Sequence, residues 1–178
     1  EQNEKRIENN KNIGAIFGQE TQLWWDLPVI ESFRLIKQMY KIPDGEYRKN
    51  LKKFTEILEL NELLEKQVKN LSLGQKMRCE IAATFLHNPK IVYLDEPTIG
   101  LDVLVKENIR KFIKDINREK NTTVILTTHD LKDIEDVCDR IILLDKGQII
   151  YDGEKQKFKD TYGKFVIAEF IIKEKHTN

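Results

Sequence analysis

Three short apolar segments stand out along this chain of 178 residues: Ile13–Phe17, Ile91–Leu94 and Val124–Thr128. They are rich in Ile, Val and Leu and bounded by polar residues, which predicts buried β-strands. Between the second and the third, Val103–Arg118 carries apolar residues at helical spacing. A strand–helix–strand unit places its strands in parallel, and both then end at one edge of a sheet. The pattern therefore predicts an α/β fold.

The region between the first two strands is predicted to be helical. Two amphipathic helices are indicated by apolar residues at helical spacing, namely Val29, Ile30, Phe33, Ile36 and Tyr40, then Tyr47, Leu51, Phe54, Ile57 and Leu58. Asp26 is placed to cap the first of them, and Asn61–Lys66 predicts a short third helix. A fourth helix is expected from Gln75 to about His87.

The carboxyl-terminal part is predicted to contain a β-hairpin, in which Ile141–Leu144 and Gln148–Tyr151 flank a turn with Gly147. Phe165–Ile172 predicts a final strand. The expected organisation is a core strand and loop in residues 1–27 and a helical subdomain in residues 28–88. The rest of the core follows in residues 89–153, and an extension in residues 154–178.

Composition narrows the classes of protein. The 30 basic and 30 acidic residues cancel, so bulk charge does not suggest a nucleic-acid partner. The apolar runs are too short to cross a bilayer. Cys79 and Cys138 have no mutual spacing signature and are expected to be small core residues of a reducing compartment.

The candidate chemistry begins where the second strand ends, at Asp95 and Glu96. Carboxylates at the carboxyl edge of a sheet suit Mg²⁺ and an attacking water, which phosphoryl transfer requires. Adjacent strand residues point to opposite faces, so the two are predicted to have different roles. A solvated acidic turn is the alternative interpretation.

Four other segments accompany the acidic pair: Ile13–Gln19, Leu71–Gln75, Ile99–Asp102 and Thr127–Asp130. Ser72 is a natural N-cap, and a helix beginning there offers N–H groups to an anion. His129 follows the third strand, so a shared sheet edge would bring it to Glu96; the alternative is a core histidine. Gln19 and Gln22 are competing candidates for an amide at the end of the first strand, and Gln19 is preferred.

In their order and spacing these segments resemble the nucleotide-binding domain of ABC transporters, over about residues 13–153. The resemblance implies an incomplete P-loop NTPase (RecA-like) core with an inserted ABC α-helical subdomain. It implies the following roles: Gln19 as the Q-loop glutamine near Mg²⁺ and nucleotide, Ser72, Leu73, Gly74 and Gln75 as signature residues, Asp95 as the Walker B ligand of Mg²⁺, Glu96 as the catalytic glutamate, Asp102 as the D-loop aspartate, and His129 as the switch histidine. Leu73 stands where the family commonly has glycine.

The resemblance also implies cofactors and partners. ATP and Mg²⁺ are the expected cofactors, and a second ATPase subunit in a head-to-tail dimer and a transmembrane permease subunit are the expected partners. The protein would then lie on the cytoplasmic face of the cell membrane. The segment from Phe17 to Pro28 looks most like ABC-2-type exporter ATPases. In the family this segment and the helical insert contact the membrane subunit. At least one of the adjacent Trp24 and Trp25 is predicted to be exposed, because neighbouring side chains of an extended segment point in different directions.

No phosphate loop of the form G-x-x-x-x-G-K-[ST] occurs in the 178 residues. The sequence is therefore expected to be a fragment that lacks the amino-terminal third of the domain, and to be inactive by itself. Two other functions stay open. One is an ABC-type ATPase of repair, chromosome organisation or translation, and the other is a non-catalytic regulatory or interaction module.

Overall fold

Three parallel strands form the sheet that the apolar segments predict. They are β1 (Ile13–Phe17), β2 (Ile91–Asp95) and β3 (Thr123–Thr127), hydrogen-bonded in that order. The register pairs Phe17 with Asp95 and Asp95 with Thr127, so the three strands end at one edge. The computed structural model of the chain describes residues 11–18 and 20–166, with side chains as far as Tyr162.

Six helices and a hairpin complete the described residues. The helices are α1 (Val29–Tyr40), α2 (Asp44–Ile57), α3 (Leu73–Phe85), α4 (Val103–Lys120), α5 (Leu131–Val137) and α6 (Lys155–Val166), with a 3₁₀ turn at Val68–Asn70. The hairpin strands are β4 (Arg140–Asp145) and β5 (Gln148–Glu154). The chain divides into two units, one ending at His129 and the other beginning at Asp130.

Three phenylalanine rings hold the helical insert to the sheet layer. Phe112 of α4 meets Phe54 of α2 and Phe85 of α3 edge-on, with ring centroids 5.0 and 5.3 Å apart. All three side chains are fully buried. Edge-to-face packing is a favoured arrangement of aromatic rings. This cluster therefore fixes α3, which carries the segment Leu71–Gln75 at its start, against the helix that links β2 to β3.

The start of α1 differs from the prediction in two ways. Asp26 does not cap the helix, because Pro28 is the N-cap residue and makes no side-chain cap bond; Asp26 instead pairs with Lys69 at 3.0 Å. Asn61–Lys66 is a series of turns and not a helix. One arrangement explains both results, since the carbonyls of Leu64 and Lys66 accept the N–H groups of Ile30 and Val29 at 2.9 and 3.1 Å. Backbone carbonyl groups therefore accept the N–H groups at the start of α1, which the side chain of Asp26 was expected to cap.

The unit beginning at Asp130 contains the predicted hairpin. Its two-residue turn is Lys146–Gly147, with φ values of 46° and 77°, and turns with two positive φ values match the twist of the flanking strands. Helix α6 was not predicted. It packs Phe158 and Tyr162 near Tyr151 of β5, with centroids 5.2 and 6.1 Å from that ring. The predicted strand at Phe165–Ile172 is wrong for its first two residues, which are helical, while residues 167–172 lie outside the described range.

Among the described helices, none has the length and the apolar composition that a membrane span requires.

Both adjacent tryptophans reach solvent, as predicted for at least one of them. Trp24 is 38% exposed and Trp25 is 54% exposed, and the ammonium group of Lys76 lies 5.4 Å from the centre of the Trp25 ring.

The two thiols are expected to react very differently with an alkylating reagent. Cys79 is fully buried, and burial raises the pKa of its thiol to about 12, whereas Cys138 is only partly buried, with a pKa that burial also raises. We therefore expect iodoacetamide at pH 8 to modify Cys138 at least about tenfold faster than Cys79, because the reactive species is an accessible thiolate. Mass spectrometry would locate the label. Labelling of Cys79 in folded Cys138→Ser protein would contradict this expectation.

Candidate functional site

The acidic pair lies where β2 reaches the edge of the sheet, but only Asp95 belongs to the strand. Glu96 has φ 48°, a left-handed conformation that residues other than glycine rarely adopt. The alternation of strand side chains, from which different roles were predicted for the two carboxylates, therefore does not apply to this pair. The chain instead leaves the strand at Glu96, and unusual backbone conformations of this kind are concentrated at functional sites.

Glu96 and His129 meet, as the shared sheet edge predicts. His129 Nδ1 lies 2.9 Å from Glu96 Oε1, although 33 residues separate them in the chain. The Glu96 side chain is 29% exposed and that of His129 is 72% exposed, so His129 is not a core histidine. The contact orients the carboxylate while the imidazole stays open to a ligand.

Thr127 holds the acidic pair in place, a role that the sequence analysis did not assign. Its hydroxyl donates to Asp95 Oδ1, and the N–H of Glu96 donates to the carbonyl of Thr127 at 3.1 Å. The same N–H lies 3.3 Å from Thr127 Oγ1. The pairing of β2 with β3 could have indicated this role, because Thr127 is the residue of β3 opposite Asp95.

Helix α3 begins with a complete capping box. Ser72 Oγ accepts the N–H of Gln75 at 3.3 Å, and Gln75 Oε1 accepts the N–H of Ser72 at 3.0 Å. The helix starts at Leu73, two residues before the predicted start. The N–H groups of Leu73 and Gly74 are the first two of the helix and have no carbonyl within it to bond. They are the donors that this helix end offers to an anion.

The side chain of Leu73 lies against a glycine of the segment after Glu96. A Cβ atom at Gly100 would be 3.4 Å from Leu73 Cδ2, and Gly100 has φ 70°. A Cβ atom at Gly74 would lie 3.6 to 3.8 Å from side-chain atoms of Val105 and Leu101. Asp102 is the N-cap of α4, with its carboxylate accepting the N–H of Val105 at 3.0 Å. The start of α3 thus packs on the turn that leads from the acidic pair into α4.

Comparison with known proteins identifies the family. The ABC transporter family profile matches residues 1–99, more than half of the chain. This chain belongs to the ABC transporter family.

Relatives within the family come from animals and bacteria. The chain is 32% identical over 156 residues to the cholesterol transporter ABCA5 of Mus musculus, covering 88% of this chain and 10% of that protein. It is 31% identical over 158 residues to the linearmycin resistance ATP-binding protein LnrL of Bacillus subtilis (strain 168), covering 89% of this chain and 50% of that protein. The chain therefore spans half or less of the length of these two relatives.

Two solved structures share the fold. One is an ATP-binding subunit of an ABC transporter, with a TM-score of 0.77, 23% identity, and coverage of 90% of this chain and 66% of that chain. The other is a dimeric ATP-binding cassette in a post-hydrolysis state bound to ADP and Pi, with a TM-score of 0.72, 28% identity, and coverage of 86% of this chain and 67% of that chain. The predicted fold class, an ABC-type P-loop NTPase core with parallel strands and helices, is confirmed.

In this ABC domain the two candidate Q-loop glutamines are distinguished only in part. The side-chain amide of Gln22 donates to the carbonyl of Glu80 at 3.3 Å and to Thr84 Oγ1 at 2.5 Å, so it is already engaged with α3. Gln19, the preferred residue, lies outside the described residues. Its proposed contacts with Mg²⁺ and nucleotide stay predictions.

The residues of the ABC domain fit a Mg²⁺ ion that is held mainly by phosphates and water. No group of three His, Cys, Asp or Glu side chains that could enclose a metal occurs within residues 11–18 and 20–166. Mg²⁺ dehydrates reluctantly and is usually bound by one or two carboxylates together with substrate phosphates. The exposed carboxylate of Asp95, oriented by Thr127, matches that requirement.

Proposed function

We propose that this chain is the part of an ABC transporter ATPase that supplies the metal ligand, the water-activating carboxylate and the signature helix. The observation that carries the proposal is the contact between Glu96 and His129 beside Asp95, at the end of parallel strands. The complete protein would bind and hydrolyse ATP and power transport through a membrane partner. An ABC-2-type exporter fits best, since the segment from Phe17 to Pro28 resembles that of such ATPases and one relative is a linearmycin resistance ATP-binding protein.

Each residue at the edge has a distinct proposed role. Asp95 would hold Mg²⁺, and bound Mg²⁺ supplies charge neutralisation at the phosphate oxygens. Glu96 would accept a proton from the attacking water, because its carboxylate is partly exposed to solvent and is oriented by His129. His129 would hold Glu96 through Nδ1 and hydrogen-bond phosphate oxygen through its other nitrogen. The 178 residues contain no phosphate loop, so by themselves they are proposed to be inactive.

The signature residues are proposed to act on a nucleotide held by a second ATPase subunit. Ser72 and Gln75 fix the first turn of α3, which leaves the N–H groups of Leu73 and Gly74 for an anion. Asp102, which is exposed at the start of α4, would lie at the same subunit contact. A related ATP-binding cassette has been solved as a dimer, which supports this arrangement.

Replacing Asp95 by asparagine tests the proposed metal site. Asparagine keeps the shape and one acceptor oxygen but removes the charge, so the Mg²⁺ concentration that gives half-maximal phosphate release should rise at least about tenfold. The measurement is phosphate release from ATP by the purified complete protein over a Mg²⁺ titration. Asp145→Asn, in an exposed residue beside the hairpin turn, is the matched control and should leave the titration unchanged. An unchanged midpoint in Asp95→Asn would remove Asp95 from the metal site.

Trp25 is proposed to dock on the transmembrane permease subunit, at the cytoplasmic face of the membrane. It is the more exposed of the two adjacent indoles, and exposed tryptophans are enriched among interface residues that dominate binding. Trp25→Ala should weaken assembly with the permease roughly thirtyfold and leave ATP hydrolysis without the permease within about twofold. Trp25→Phe keeps an aromatic ring and should weaken assembly less. Unaltered assembly of Trp25→Ala in a pull-down titration would contradict the proposal.

A further inference from the structure

Helix α3 carries a buried carboxylate that the proposed reaction does not use. The side chain of Glu80 is 3% exposed, and burial raises the pKa of its carboxyl group. A buried acidic group is costly unless hydrogen bonds satisfy it. Its partners therefore indicate why this position holds a glutamate.

Among the residues that the structure describes, the hydrogen-bond partners of the Glu80 carboxylate come from the segment that follows β1. The hydroxyl of Thr21 donates to Oε1, and the N–H of Gln22 donates to Oε2 at 3.4 Å. Thr21 Oγ1 in turn accepts the N–H of Leu23 at 3.1 Å. The Glu80 carboxylate is thus hydrogen-bonded directly to Thr21 and Gln22, and it is linked to Leu23 through the Thr21 hydroxyl.

A second set of bonds joins the same segment to the backbone of α3. The side-chain amide of Gln22 donates to the carbonyl of Glu80 and to Thr84 Oγ1, and the Thr84 hydroxyl donates to that carbonyl at 2.9 Å. Thr21 and Glu80 are 59 residues apart in the chain. Thr21–Leu23 is therefore held to the middle of the helix through both side chain and backbone.

The two joined elements lead to the two halves of the candidate site. Thr21–Leu23 follows β1, whose last residue Phe17 is in register with Asp95 at the catalytic edge. Helix α3 begins at the Ser72 capping box. A helix with continuous backbone hydrogen bonds is stiff, so a displacement at Glu80 is transmitted along α3 to its first turn.

We infer that Glu80 is a positioning residue that ties the chain leaving the catalytic edge, at Thr21–Leu23, to the signature helix α3. A change at the edge when nucleotide binds then moves the first turn of α3 together with Thr21–Leu23. The inference rests on the proposed function, because it takes the edge to be the nucleotide site. It adds a residue that touches neither nucleotide nor metal.

Hydrogen exchange and kinetics on the complete protein test the inference with a matched pair of variants. Thr21→Val keeps the shape of the side chain and removes the hydroxyl that bonds Glu80, whereas Thr21→Ser keeps the hydroxyl. Without nucleotide, the amides of Gln22 and Leu23 should exchange about tenfold faster in Thr21→Val and within about twofold of the parent in Thr21→Ser. Thr21 is only partly buried, so both variants should fold, which circular dichroism checks.

With Mg-ATP, Thr21→Val should lose at least about half of the change in amide exchange over Leu71–Lys76 that the parent protein shows. It should also lower kcat about fivefold with KM within about twofold, because the groups at the edge are unchanged. Glu80→Met, which removes both acceptor oxygens of the side chain, should reproduce these effects. Thr21→Val combined with Glu80→Met should be no worse than Glu80→Met alone, since Glu80→Met already breaks the bond to Thr21.

Three results would overturn the inference. The first is that the losses of kcat caused by the Thr21 and Glu80 substitutions multiply in the double variant, and the second is that Thr21→Ser is as impaired as Thr21→Val. The third is faster exchange at Gln22 and Leu23 together with a normal Mg-ATP response at Leu71–Lys76 and a normal kcat. The last result would mean that Glu80 only stabilises the fold. Failure of the proposed function can be distinguished from failure of this inference. If the proposed function failed, Glu96→Gln would release phosphate normally, while Thr21→Val and Thr21→Ser would still differ in amide exchange without nucleotide.

Discussion

Replacing Glu96 by glutamine is expected to lower phosphate release from Mg-ATP at least about a hundredfold in the complete protein, while ATP affinity stays within about threefold. Glutamine has nearly the same shape, and its amide oxygen can still face His129 Nδ1, which lies 2.9 Å from Glu96 Oε1. It cannot accept a proton from water. The substitution therefore removes the chemical step and leaves the binding groups in place.

The measurement combines single-turnover phosphate release with equilibrium binding of ATP. Glu65→Gln makes the same chemical change at an exposed glutamate and serves as the matched control, with an expected rate equal to that of the parent protein. If Glu96→Gln bound ATP and released phosphate at nearly the parent rate, Glu96 would not be the group that activates water. The proposal that this edge performs hydrolysis would then fail with it.

Replacing Phe112 by alanine is expected to lower the free energy of unfolding by about 3–5 kcal/mol. The ring is fully buried and makes edge-on contacts with Phe54 and Phe85, so its removal leaves a cavity among three helices. The loss includes apolar burial and the two aromatic contacts. Because domains are stable by only about 5–15 kcal/mol, this single change would approach the limit that the fold tolerates.

Urea unfolding followed by circular dichroism measures this loss. Phe17→Ala removes the same ring from a position that is 62% exposed, so it should cost less than about 1 kcal/mol. Phe112→Leu refills part of the cavity and should recover part of the loss. Equal destabilisation by Phe112→Ala and Phe17→Ala would contradict the view that this cluster ties the helical insert to α4.

The site could be predicted from the sequence where it depends on strands and their ends. The apolar periods of β1, β2 and β3 are local, and a crossover helix between β2 and β3 leaves one topology. From these two facts the meeting of Glu96 and His129 follows, and the structure confirms it. Ser72 as an N-cap was equally predictable, because capping depends on residues within one turn.

Other contacts at the site could not be predicted in this way. Thr127 was visible only as the end of an apolar run, and its bond to Asp95 depends on the exact register of two strands. Glu96 has a left-handed backbone conformation that no local preference of glutamate predicts. The contact of Leu73 with Gly100 joins residues from two separate segments.

The sequence by itself determined the three parallel strands, helices α1 to α4, the hairpin and the edge at which the polar residues gather, and its motifs indicated the family. The strands and helices follow from periodicity, which is a property of neighbouring residues. Only the tertiary structure decided that the carbonyls of Leu64 and Lys66 would bond the start of α1, that Gln22 would bind α3, and that Glu80 would be buried against Thr21. The physical reason is that a buried polar group must find a partner, and in these cases the partner lies in a distant part of the chain.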